Sequence, residues 1–413
     1  MGRLLDYLRE NAVWLSTGFL LTFMSSFGQT FLIAVFAADI RADFGLSHGG
    51  WGGIYAIGTM AAALAMMAAG GLTDRFRVRH LGLAILLGLG AAAAFLPFAG
   101  GLATLTLAVF FLRFFGQGMM GHTAMVAMSR WFAATRGRAV SIAGLGFSVG
   151  EAVLPLAMVA LLGLFEWRTV WFGIALFLAL VAPVLYAMLR HERTPQSFAS
   201  SPGRAGMEGR HWTRGEALRH PLFWALVPVL VGLSAWNTAF FFHQVHLAEA
   251  KGLTHAQFVA LFPLYSLVSV AFMLLAGWLC DRIGVARIAT VALVPVVAGY
   301  LVLAGAPVGS VGAIGAALAL VGATVGMNST LMGALWAEFY GTAHVGAIRS
   351  ATAFAMVGGS AIGPVVTGAL IDRGIAFPAQ ALAIALYFAM AGGLMAAVVI
   401  ASARSLPPRE AVE

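Results

Sequence analysis

Gly70-Gly71-Leu72-Thr73-Asp74-Arg75-Phe76-Arg77-Val78-Arg79 and Gly277-Trp278-Leu279-Cys280-Asp281-Arg282-Ile283-Gly284-Val285-Ala286-Arg287 are the two stretches on which the reading of this chain turns. Both contain Gly-x-x-x-Asp-Arg, and their aspartates stand 207 positions apart, half the length of a 413-residue chain. Each is a short charged interruption between long apolar runs. A helix needs about 20 apolar residues to cross a bilayer. Working outward from the two motifs, twelve such runs appear, over 13–38, 48–73, 81–99, 103–130, 138–162, 169–190, 221–248, 257–280, 286–306, 309–337, 345–371 and 377–402.

The composition excludes most alternatives. Hydrophobic residues make up 61% of the chain and charged residues 10%, against about a quarter charged in soluble proteins. Neither a soluble multidomain enzyme nor a disordered chain fits. The apolar runs are continuous rather than alternating, which argues against a transmembrane β-barrel. A single cysteine, Cys280, leaves no disulfide framework and no thiolate metal cluster. No phosphate-binding Gly-x-x-x-x-Gly-Lys-Ser/Thr loop is present, so ATP is not the expected driver, and no enzyme constellation or cofactor motif appears. The net charge of +8 does not form a contiguous basic block, so it is read as topology and not as nucleic-acid binding.

With a cytoplasmic N-terminus, nineteen of the 24 basic residues fall on the cytoplasmic side. Arg41, Arg168, Lys251 and Arg373 fall on the other side, and Arg113 lies inside a span. By the positive-inside rule both termini are cytoplasmic, in a plasma (inner) membrane. The polar start, Met1–Asn11, reads as a retained tail and not a signal peptide. The longest polar stretch, from Arg190 to His220, separates two sets of six spans and ends in a capping-box spacing at Thr213 and Glu216. A short amphipathic helix or helix start along the cytoplasmic membrane face is expected there. The expected architecture is an all-α membrane protein of twelve transmembrane helices in two pseudosymmetric six-helix bundles. They comprise an N-terminal bundle (1–190), a cytoplasmic linker (191–220) and a C-terminal bundle (221–413).

The halves also match elsewhere: Gly146-Phe147-Ser148-Val149-Gly150-Glu151 in span five faces Gly359-Ser360-Ala361-Ile362-Gly363-Pro364 in span eleven. Repeated halves are a transporter device. The twelve spans, the central basic loop and the doubled Gly-x-x-x-Asp-Arg resemble the major facilitator superfamily over the whole chain. Arg113-Phe114-Phe115-Gly116-Gln117-Gly118 is similar to its span-four motif, with the Gln one place late, and Arg77 departs from the Gly usual in the first loop. Arg130-Trp131-Phe132, Arg136-Gly137-Arg138-Ala139 and His246-Leu247 before Lys251-Gly252-Leu253 resemble the monocarboxylate and oxalate/formate branch. That branch carries an arginine in span eight where this chain has Met273, so its substrate does not simply transfer.

The resemblance implies a gating latch at Gly70, Asp74, Arg75, Gly277, Asp281 and Arg282, with Arg349 the candidate partner of Asp74, and Arg136 or Arg138 that of Asp281. Surface charges obeying topology are the plain alternative. Arg113 and Glu151 are the only full charges deep within spans, where charge is costly and marks a functional candidate. They are expected to pair, with Gln117 one turn from Arg113 on its face; the pair would either couple proton to substrate at Glu151 or be a fixed structural contact. His122 is a second proton-coupling candidate, on the face opposite Arg113. The resemblance implies that spans one, four, seven and ten line the cavity, offering Gln29, Trp236, Asn237, His243 and Asn328, with Tyr265 in span eight, as substrate contacts. Trp236, Phe240 and His243 share a helical stripe. His243 and His246 lack a third ligand, so no metal site is expected.

The resulting expectation is a secondary active transporter that moves a small organic solute, a carboxylate or other organic anion, by alternating access with a proton or other coupling ion. It would act as a monomer in the lipid bilayer, without nucleic acid. In the family that this chain resembles, a Gly-Pro pair in span five goes with antiport, so Glu151, standing where span eleven has Pro364, implies import or symport. The alternatives are a multidrug or metabolite exporter and a transport-inactive membrane sensor.

Overall fold

A computed structural model describes residues 2–132, 135–192 and 205–407. Arg193, Pro195, Pro202, Gly203 and Arg204 of the linker and Arg409 of the tail lie outside them. The described residues are helical throughout, without strands. Eleven helices are long and apolar enough to cross a membrane, and a bent pair makes the twelfth. In chain order they are α1 (Ala12–Gly28 with Thr30–Phe44), α2 (His48–Arg75), α3 (Val78–Phe98), α4 (Leu102–Trp131), α5 (Arg136–Leu162), α6 (Trp167–Leu189), α7 (Pro221–Phe242), α8 (His255–Ile283), α9 (Val285–Gly305), α10 (Val311–Tyr340), α11 (Val345–Asp372) and α12 (Phe377–Ala403).

Several helices carry one buried and one exposed apolar stripe. On α12, Leu382, Leu386, Met390 and Leu394 are exposed, while Phe377, Ala381, Ile384, Ala385 and Phe388 are buried. Leu176, Leu180 and Val184 make the same four-residue stripe on α6. In water such rows would be untenable; beside hydrocarbon they cost nothing, and the helices associate by packing and close backbone approach.

The chain forms two compact units. The first comprises Met1–Ala199 with two short pieces of the later chain, Phe241–Val245 and Pro364–Asp372; the second comprises Ser200–Phe240, His246–Gly363 and Arg373–Glu413. Inside the first unit α1 packs on α5, α2 on α4 and α3 on α6. Inside the second, α8 packs on α10 and α9 on α12, and α7 meets α11. The matched glycines explain the repeat. A Cβ on Gly146 of α5 would stand 2.1 Å from the Phe19 carbonyl oxygen of α1, and one on its counterpart Gly359 of α11 would stand 2.7 Å from that of Val231 in α7. Both halves use small residues to let the same helix pair touch backbone to backbone.

Two helices depart from the regular form expected of them. α1 bends by 45° at Gly28–Gln29 and runs on to Phe44, because Gln29 is extended (ψ 155°). α4 is π-helical over Arg113–Met120. The two irregularities meet: a Cβ on Gly28 would stand 2.1 Å from the Leu112 carbonyl oxygen, and one on Gly116 2.5 Å from the Gly28 Cα. The seventh span is also shorter than its apolar run, since α7 stops at Phe242 and a separate helix, Gln244–Ala250, follows. In the linker, Thr213 and Glu216 cap a single turn, Arg214–Ala217.

Candidate functional site

Arg113 is 1% exposed, the most deeply buried cation among the described residues. Its surroundings follow from the break in α1. In an unbroken helix the Gly28 carbonyl would accept from Leu32; here the Leu32 and Ile33 amides both bond Gln29 instead. The freed Gly28 carbonyl accepts from Arg113 Nη1 at 3.3 Å, and the Thr30 hydroxyl accepts from the same nitrogen at 3.3 Å. Thr30 and Tyr55 share a short hydroxyl–hydroxyl hydrogen bond. The guanidinium carbon lies 5.2 Å from the centroid of the Tyr55 ring, within cation–π range. Nε and Nη2 have no hydrogen-bond partner. A buried cation that uses one of three nitrogens leaves donors in the fork geometry that fits a carboxylate or phosphate.

Glu151 does not pair with Arg113: the guanidinium turns to α1 and α2 instead. The π-helical turn supplies the reason, since an extra residue per turn shifts the face that Arg113 presents. Glu151 is itself buried, at 7% exposure, and its neighbour Gly150 closes on Ser26 of α1, whose hydroxyl has no partner. Gln117, four residues on in the π-helical stretch, is exposed where Arg113 is buried. Gln29 is half-buried at the α1 break. His122 lies lower on α4, its Nε2 3.9 Å from where a Gly70 Cβ would stand, beside the loop motif.

A second polar cluster lies wholly within the other unit. The Tyr265 hydroxyl donates to Asn237 Oδ1 at 3.2 Å, and the Tyr300 hydroxyl donates to the Trp236 carbonyl at 3.2 Å. Trp236 and Tyr387 meet edge to face with centroids 6.0 Å apart. The Trp236 Nε1 and the Asn328 Oδ1 have no partner. Trp236, Asn237 and Tyr265 thus come together. His243 leaves their stripe because α7 ends at Phe242; it is buried, with Nε2 3.0 Å from the Pro364 carbonyl and its ring 5.9 Å from that of His48.

In the first loop motif, Asp74 is ion-paired with Arg130 at the end of α4, which also bonds the Thr73 carbonyl. This partner comes from the same unit, and Arg130 closes the α4 end directly over the motif. Arg75, Arg136, Asp281, Arg282 and Arg349 are exposed and Gly70 and Gly277 half-buried. Arg282 stacks over Trp278, 4.8 Å from its ring centroid.

Thr30, Tyr55, Tyr300 and Tyr387 were not singled out in the sequence. The run Ser25-Ser26-Phe27-Gly28-Gln29-Thr30, small and polar in mid-span, is the signal that points to the first of these; a hydroxyl in an apolar helix such as Tyr55 gives none.

Comparison with known proteins agrees with this architecture. An uncharacterised 38 kDa protein of the 23S RNA operon of Thermoproteus tenax is 29% identical over 355 residues, 85% of either chain. Crystal structures of a bacterial homologue of the human lysosomal transporter Spinster share the fold. The inward-facing, unoccupied form superposes with a TM-score of 0.68 at 17% identity, covering 96% of this chain and 95% of that one. The inward-facing, occupied form gives 0.65 at 16%, covering 95% and 96%. The Major Facilitator Superfamily model matches residues 18–364, and with its apolar helices and doubled loop motif this chain is a member of that superfamily of membrane transporters.

Proposed function

We propose that this protein is a proton-coupled secondary transporter of a small organic solute, a carboxylate or other organic anion, working by alternating access. The observation that carries the reading is the buried Arg113 with Nε and Nη2 unpartnered. Charge at membrane depth is costly, and a carboxylate accepting from both free N–H groups offsets that cost with charge-assisted hydrogen bonds. Gln29 at the α1 break and the Trp236–Asn237–Tyr265 cluster supply further contacts; Gln117, His243 and Asn328 are retained as secondary ones. Glu151, buried four residues before Pro155 in α5, is the coupling group, with His122 second. The loop residues Gly70, Asp74, Arg75, Gly277, Asp281 and Arg282, with Arg136 and Arg349, gate the cycle. The basic side is cytoplasmic, both termini included, in the plasma (inner) membrane, and the protein acts as a monomer.

Purified protein screened by thermal shift against carboxylates, amines and hydrophobic cations tests the substrate class, since a ligand of the folded state raises the melting temperature. Carboxylate hits that vanish in Arg113→Met support the reading. Hits confined to hydrophobic cations favour the alternative, an exporter, for which the aromatic cluster around Trp236 and the uncharged Met273 of α8 speak. In proteoliposomes, Glu151→Gln abolishes accumulation driven by a pH gradient while sparing substrate exchange; unchanged accumulation removes Glu151 from the coupling role.

A further inference from the structure

At the arginine-rich end of the second unit, a cavity of about 450 Å³ is walled by Arg282, Ile283 and Gly284 around the end of α8, Arg287 in α9, Glu338 in α10, and Ala403, Leu406 and Pro407 at and after the end of α12. Of its walls only Arg282 figures above, among the loop residues assigned to gating. Its volume falls within the ~300–1,000 Å³ of small-molecule sites. We propose that it binds a phosphate-bearing anion, with the headgroup of an anionic phospholipid as the occupant.

The wall is built from both sides of the membrane boundary. Leu267, Leu274 and Trp278 are exposed at spacings of seven and four along α8, the lipid-facing stripe of that helix. Arg282 continues the stripe by one more turn, its guanidinium stacked over the Trp278 ring at 4.8 Å. An indole with an arginine just beyond it is the pattern of a membrane interface, where the ring sits at headgroup level and the charge reaches water. Gly284, with φ of 96°, then reverses the chain, so that Arg287 lines the same cavity as Arg282. The opposite rim is held in place by the Glu208 amide, which donates to the Ser405 carbonyl at 2.8 Å.

The charge balance favours an anion. Two guanidiniums line the cavity against one carboxylate, Glu338, and among the described residues neither arginine has an ion-pair partner within 4 Å. Stacking fixes the plane of Arg282 and leaves its N–H edge for a phosphate oxygen. A basic pocket between helices on the side the charge pattern assigns to the cytoplasm is where anionic lipid is most abundant. The exposed Ile283 and Trp278 give the acyl chains of such a lipid an apolar surface next to the headgroup, which a soluble phosphate would not need.

The test is the thermal stability and native mass spectrum of the detergent-purified full chain with added dioleoylphosphatidylglycerol, dioleoylphosphatidylcholine, glycerol 1-phosphate or inorganic phosphate. Phosphatidylglycerol is expected to raise the melting temperature and to remain bound, and phosphatidylcholine to do neither. Arg287→Gln should weaken phosphatidylglycerol binding about five-fold, the contribution of one basic side chain at an anionic surface, and Arg282→Gln with Arg287→Gln by more than the single change. Arg214→Gln, on the same face but outside the cavity, should bind as the wild type does. Stabilisation by glycerol 1-phosphate equal to that by the lipid keeps the phosphate chemistry and makes the occupant soluble. Equal binding of the two lipids, or undiminished phosphatidylglycerol binding by Arg287→Gln, overturns the proposal.

Discussion

Replacing Arg113 by Met separates a substrate-binding arginine from a structural one. The substitution removes two long hydrogen bonds, to the Gly28 carbonyl and the Thr30 hydroxyl at 3.3 Å each, together about 2 kcal/mol at the net value of such bonds. It also removes the stacking on Tyr55, about 2 kcal/mol for a desolvated cation. Against this, burial of the guanidinium, 1% exposed with two nitrogens unpartnered, is relieved, worth about 3 kcal/mol on the scale for arginine at mid-membrane. The difference is a destabilisation of about 1 kcal/mol. The methionine chain fills similar space, so no large cavity follows. The melting temperature of the purified protein should therefore fall by only a few degrees, while carboxylate binding and uptake into proteoliposomes are lost. Arg113→Lys keeps the charge without the planar fork and should restore binding weakly. The reasoning fails if Arg113→Met no longer folds, which would make Arg113 a clamp for the α1 break, or if it transports at the wild-type rate.

Three further outcomes follow from the packing. Gly363→Ala places a Cβ 2.1 Å from the Ala235 carbonyl oxygen and should cost about 1–3 kcal/mol as backbone overpacking, whereas Gly144→Ala, with nothing within 4 Å, should be silent in the same thermal-shift assay. Asp372→Ala removes the carboxylate that accepts from the His48 and Gly49 amides at 2.9 and 2.8 Å. Loss of this cap on α2 should lower stability by about 1 kcal/mol, and Asp372→Asn, which still accepts, should lower it less. His220 is held below the ordinary histidine value of 6.5 by burial, with the charge of Glu208 opposing. Its Nδ1 accepts from the Leu222 amide, as only the neutral ring can. A depressed base takes up its proton first in the unfolded chain, so stability is full above pH 6.5 and falls as pH drops toward the lower folded value. Melting temperatures between pH 7.5 and 5.5, on a scale of about one unit either side of free histidine, should decline less in His220→Gln than in the wild type; identical slopes would remove His220 as a contributor.

The sequence carried the membrane architecture because a bilayer imposes it locally: each span must be apolar over a fixed length and keep its hydrogen bonds inside itself. Composition and charge placement along the chain therefore suffice to find the helices, and the doubled Gly-x-x-x-Asp-Arg and the matched glycines of α5 and α11 reveal the repeat. Arg113 and Glu151 are also visible at that level, because ionised groups are rare in such helices. What each of them touches is not, since contact across helices depends on rotation about each helix axis. One extended residue at Gln29 and one π-helical stretch from Arg113 change that rotation without leaving a strong mark on composition. Only the tertiary structure decides that Arg113 bonds the broken end of α1 and faces Tyr55, that Asp74 takes Arg130, and that α7 stops before His243. These arrangements follow from backbone approach between helices distant in the sequence, Gly28 against Gly116 above all, and no periodicity within a single span encodes the partner it will meet.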